Sequence, residues 1–162
     1  MRKFKILIFP LCLVFLCACS KPKVTPVTDG ISFAAHIFYY NKEYSCVVVA
    51  EKGGDTVLTV TEPELLSGAK VVISEKDAYA EFKDIKYPVD LSRAAGAPYF
   101  LLGCLKEAKN KEAEKGSEQY VIKGTHADIE YEMVFAESGI PLKITGENIE
   151  IEIFDAKIKT AL

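Results

Sequence analysis

From Ile31 onward the chain alternates. Ile31, Phe33, Ala35, Ile37 and Tyr39 fall at one parity and Ser32, Ala34, His36, Phe38 and Tyr40 at the other. The same two-residue period returns in Ile129, Tyr131, Met133 and Phe135 against Asp128, Glu130 and Glu132. Successive side chains on a strand leave opposite faces, so a segment of this kind hides one set and wets the other only as part of a sheet. A slip of one residue would exchange the two sets, and register is therefore fixed along with the fold class. The pattern predicts antiparallel sheet with one face on a core and one on water.

Turn residues divide the alternating stretches. Asn41-Lys42, Lys52-Gly53-Gly54-Asp55, Glu75-Lys76-Asp77, Gly124-Thr125-His126, Ser138-Gly139-Ile140-Pro141 and Glu147-Asn148 separate strands expected over 31–40, 43–51, 56–61, 70–74, 78–86, 119–123, 127–136, 142–146 and 149–156. Glu62-Pro63-Glu64-Leu65-Leu66-Ser67-Gly68 breaks the period, with Pro63 where a first helical turn tolerates it and Gly68 where one ends, so a short helical or looped corner is expected. Between 90 and 115 the period changes. Pro98 suits a helix start, and Phe100, Leu101, Cys104, Leu105 and Ala108 recur at three and four. The polar stretch 109–116 reads as an exposed helix end or loop. The order is five strands, one helix and four strands, a mainly β (α+β) chain of about nine strands on one main helix.

The first eighteen residues are of another kind. Arg2, Lys3 and Lys5 precede an apolar run from Ile6 to Leu16 that is short for a bilayer span and ends in small residues. That is the form of an export signal. Its end, Leu16-Cys17-Ala18-Cys19, resembles the lipobox of bacterial lipoproteins. The resemblance implies cleavage after Ala18, lipidation of Cys19 and an extracytoplasmic domain anchored to the cell membrane. Two acyl chains, at about 0.8 kcal/mol per buried CH₂, hold a domain on a membrane where one would not. Residues 19–30, with Pro22 and Pro26, read as the lipidated cysteine and a flexible tether, and 31–162 as a single domain.

Charge narrows the partners. The chain of 162 residues carries -3 at neutral pH, and loss of three signal cations takes it to about -6. An acidic domain without a Lys/Arg stripe lacks what phosphate neutralisation needs, so nucleic acid is not an expected partner. Of five cysteines, Cys46 and Cys104 remain in the domain. Buried free thiols are the favoured reading, a bridge between them the other.

The order of elements, with the corner TEPELLSGAKVVIS and the late hairpin ESGIPLKITGENIEI, resembles the LolA-like lipoprotein carrier superfamily, and more closely the small lipoproteins of that fold in Gram-positive bacteria. The resemblance implies a curved antiparallel sheet, a half-barrel, wrapped on helix, with an apolar space between them for lipid chains. In this chain Phe100, Leu101 and Leu105 would line it.

Reactive motifs are lacking. His36 and His126 stand far apart with no HExxH or Cys/His cluster, and no GxSxG or phosphate loop occurs, so no metal, cofactor or catalytic residue is expected and the chain reads as a non-enzyme. Asp128, Glu130, Glu132, Glu150 and Glu152 share a parity, and with Lys143 between them they read as a solvated, paired face. Two functions remain. One is a membrane-anchored domain that binds lipid or another apolar ligand, and the other is a cell-surface structural or interaction domain with a dry core.

Overall fold

A computed structural model of the chain describes residues 21–74, 77–91 and 96–159. Twelve strands form one open, curved sheet: β1 (Lys23–Val24), β2 (Ile31–Tyr39), β3 (Lys42–Ala50), β4 (Thr56–Glu62), β5 (Lys70–Ile73), β6 (Ala78–Phe82), β7 (Ile85–Pro88), β8 (Ala113–Lys115), β9 (Tyr120–His126), β10 (Ile129–Phe135), β11 (Pro141–Gly146) and β12 (Ile149–Ile158). Every pairing is antiparallel, in the order β1-β8-β9-β10-β11-β12-β2-β3-β4-β5-β6-β7. The last strand thus lies beside the second and joins two meanders into one sheet.

The alternation has its predicted outcome. Ile31, Phe33, Ala35 and Ile37 are buried on β2, and Tyr131, Met133 and Phe135 on β10. The opposite parity faces outward, where Lys143 on β11 bonds Glu150 on β12 and Lys123 on β9 lies 3.0 Å from Glu132 on β10. Cross-strand pairing accounts for these acids without a ligand.

The helix α1 (Ala97–Ala108) packs its apolar side across β9, β2 and β4. Pro98 sits in its first turn, where a missing N–H costs nothing, and Lys106 lies in its last turn, the favourable end for a cation. Phe100, Leu101, Leu102, Cys104, Leu105 and Ala108 all enter the core. Between β4 and β5 the corner makes a single 3-10 turn over Glu64–Leu66, closed by Gly68 at φ +84°.

Three features depart from the nine-strand reading. The expected strand 78–86 is two strands, because Lys83 and Asp84 take φ of 48° and 64° and turn the chain back on itself. The stretch after the helix holds β8, whose Lys115 pairs with Tyr120, so pairing to β9 overrides the helix-forming character of its Ala, Glu and Lys. The tether stretch contains β1, paired to β8, with Val27 N–H donating to Gly139 O at 2.8 Å and Thr28 buried.

Candidate functional site

The helix covers part of the apolar inner face of the sheet, and the three residues expected to line a ligand space lie on the side of the helix that is buried against it. Phe100 and Leu101 are 0% exposed and Leu105 4%. They share one cluster with Phe33, Leu58, Met133 and Phe135. Each such side chain contributes about 1.5–3 kcal/mol by leaving water.

The cover stops short of one sheet edge. Register carries the inner parity from Leu58 on β4 to Val71 on β5, to Ala80 on β6 and to Tyr87 on β7, with Phe82 opposite Ile85 in the same row set. Leu58 and Val71 are buried, whereas Ile85 and Tyr87 are 54% and 55% exposed. An apolar strip of inner face made by half-buried Ala80 and Phe82 and exposed Ile85 and Tyr87 therefore lies beside the covered core. Among the described residues nothing reactive stands within it, and its chemistry is apolar contact, aromatic stacking and the cation–π contact of Lys83 Nζ, 5.2 Å from the centre of the Phe82 ring.

A polar cluster fastens the helix on the other side. Glu107 on α1 accepts from His126 Nδ1 at 2.8 Å and from the Tyr131 hydroxyl at 3.1 Å, and Lys111 Nζ lies 3.8 Å away. An ionised carboxylate only accepts, which places the ring hydrogen on Nδ1. His126 Nε2 is buried with no hydrogen-bond partner. Room for the two rings comes from glycine. A Cβ on Gly103 would stand 2.0 Å from His126 Nε2, and one on Gly124 would stand 2.7 Å from the Tyr131 ring. Phe100 meets both rings edge-on, at 5.8 and 6.1 Å. Burial, then the neighbouring Cys104 and Glu107, hold the Tyr131 hydroxyl well above its ordinary ionisation range. Nε2 is the nitrogen a substrate would have to reach, and the helix backbone at Gly103 closes it off. The arrangement is built to hold the helix on the sheet.

The rest of the chemistry is sparse. Cys46 and Cys104 are buried free thiols, and burial pushes the Cys46 thiol up to about 12. His36 stacks on Phe38 on the outer face, with ring centroids 4.6 Å apart. Among the described residues no three His, Cys, Asp or Glu side chains gather to hold a metal ion, and no helix is long and apolar enough to cross a membrane. Cys19 and Ala18 lie outside the described residues. Sequence reasoning passed over Glu107, His126 and Tyr131. Gly103 inside an apolar helix face was the available signal, because a glycine within an element marks a close approach; Gly124-Thr125-His126 was expected as a turn, whereas β9 runs through all three and turns only after His126.

No family model matches the chain, and no curated protein matches it. Among solved structures it is similar to a LolA superfamily protein from Nitrosomonas europaea, at 12% identity and a TM-score of 0.47, over 82% of this chain and 86% of that one. It is also similar to an uncharacterized conserved protein from Thermus thermophilus, at 13% identity and a TM-score of 0.49, over 81% and 80% of the two chains.

Proposed function

We propose that the chain is a lipoprotein, cleaved after Ala18 and lipidated at Cys19, whose domain is held outside the cytoplasm on the cell membrane of a Gram-positive bacterium and takes a lipid chain or another apolar ligand without catalysis. The ligand surface is the open strip of Ala80, Phe82, Ile85 and Tyr87. The observation that carries this reading is the exposure of Ile85 and Tyr87, 54% and 55%, at the same parity as buried Val71. Large apolar side chains left open in a concave face are where an apolar ligand gains most. Phe100, Leu101 and Leu105 are buried in the core cluster, and the ligand on this reading lies beside the helix.

The chain from Lys21 onward, titrated with a fluorescent fatty acid, gives saturable binding on this reading. Ile85→Asp and Tyr87→Asp each weaken it at least tenfold, while Leu105→Ala leaves the affinity within a factor of about two. A second reading, an interaction domain with a dry core, draws on the full burial of Phe100 and Leu101. Absence of saturable binding decides for it.

A further inference from the structure

The hairpins at 39–42 and 146–149 end side by side, and Tyr40 N–H donates to Asn148 O between them at 3.2 Å. A shallow hollow opens at their tips, bordered by the rings of Phe38, Tyr39 and Tyr40 and by Glu43 and Glu150. None of its lining residues is Lys or Arg. Phe38 on β2 is opposite Glu150 on β12 and opposite Glu43 on β3, so an aromatic ring stands between two acids on the outer face. His36 stacks on one face of that ring, within 7° of parallel, yet Phe38 remains 39% exposed and Tyr40 60%. Tyr39 and Tyr40 meet at 86° with centroids 4.8 Å apart, which sets two perpendicular rings at the tip. Charge about the hollow is uneven. Glu150 is bonded by Lys143. Glu43 meets, among the described residues, just His36 Nε2 at 3.7 Å, too long for a hydrogen bond, and its side chain is 69% exposed. Lys42 stands opposite Tyr39 and does not line the hollow. On its other side Glu43 borders Glu62 and Glu64 in a second hollow, which adds negative charge.

From this geometry we propose that the hollow binds a small organic cation bearing a quaternary ammonium group, seated on the Phe38 and Tyr40 rings with Glu43 as its counter-charge. The negative face of an aromatic ring attracts a cation, and a quaternary ammonium gives up little water to reach it. A bare metal ion is not the occupant. Glu43 and Glu150 stand two strand gaps apart, about 9.6 Å, with Phe38 between them, whereas a hard cation needs several oxygens converging on one point. An anion is repelled by the carboxylates, and a neutral apolar solute leaves the charge of Glu43 unused. Ring contacts at an exposed site are individually weak, so the affinity is in the millimolar range.

The test titrates the full chain in a non-ionic detergent with choline, followed by NMR through the choline methyl signal, which aromatic rings shift upfield. A saturable upfield shift is expected, at roughly fivefold or more higher affinity than for 3,3-dimethylbutanol, which has the same shape without the charge. Tyr40→Asn removes the ring and leaves a residue suited to the left-handed φ of 46° at that turn. Tyr40→Asn and Glu43→Gln should each weaken choline by roughly fivefold or more. Glu132→Gln removes a carboxylate from the same face three strands from Phe38, and screening should leave its affinity within a factor of about two. No saturation, equal affinity for the two probes, or indifference to either Tyr40→Asn or Glu43→Gln overturns the site, as does an equal loss from Glu132→Gln. Phosphocholine, the same cation as a lipid head carries it, then separates the sources. Binding as tight as that of choline assigns the site to a lipid headgroup, and weaker binding assigns it to a free solute.

Discussion

Tyr131 and Tyr87 occupy equivalent places in one sheet. Both point to the inner face, and both stand in a strand paired with a tight hairpin neighbour. Yet Tyr131 is 4% exposed and Tyr87 55%. Over Tyr131 lies the helix, with Glu107 to take its hydroxyl and Phe100 against its ring. Alternation decides which way a side chain points, and the helix decides whether that direction is inside. The two regions therefore differ in energetics although they share one pattern.

The widest gap between them appears when a charge is placed on the inner face. Met133→Asp strands an ionised group in the covered region and should cost about 4 kcal/mol or more, whereas Ile85→Asp should change stability by no more than about 0.5 kcal/mol. Urea denaturation of the two variants compares them directly. Similar midpoints would mean that β7 is covered after all, or that β10 is not.

Removing volume sharpens the same comparison. Leu101→Ala leaves a hole under the helix and should cost about 2–5 kcal/mol. Tyr87→Ala leaves only less surface and should cost under about 1 kcal/mol. A core-sized loss at Tyr87 would remove the open strip, and with it the ligand surface.

The smallest effect is set by pH. The Tyr131 hydroxyl and the Cys46 thiol are both raised in the folded chain, chiefly by burial, Cys46 to about 12. A raised acid keeps its proton when folded and releases it when unfolded, near 8.5 for a thiol and 10 for a phenol. Their contribution to stability is whole below those values and declines as pH rises through them, by about 1.4 kcal/mol per unit for each ionising group. Stability should thus fall above about pH 8.5 and more steeply above pH 10. Tyr131→Phe should flatten the steeper part. An unchanged slope would mean that Tyr131 ionises as readily in the folded chain as in the unfolded one.

The covered face was legible in the chain because its alternation is strict, as in Ile31 to Ile37 and Tyr131 to Phe135. The helix was legible for the same reason at a different period. The turn at Lys83-Asp84 was not read, although Asp84 falls at the parity of Ala80 and Phe82 and so breaks the alternation of an unbroken strand. Nor was β8, since Ala, Glu and Lys speak for helix and only pairing with β9 and β1 makes them a strand. The cluster of Glu107, His126 and Tyr131 joins residues nineteen and twenty-four apart, a distance at which no local pattern operates. The open strip shows the same limit from the other side. Ala80, Phe82, Ile85 and Tyr87 look like core residues until the reach of α1 is known.

The short strand β1 also fixes how the domain answers to force. It is held to β8 by two residues, and the segment behind it by the backbone bonds Val27 to Gly139 and Lys159 to Gly30. Tension on the chain from the side of residue 21 reaches this seam before it reaches β2, which is flanked on both sides by long ladders. The seam opens first, like the lead teeth of a zip, and releases residues 23–30. At about 3.3–3.6 Å per extended residue this gives roughly 25–30 Å of slack while the core stays whole.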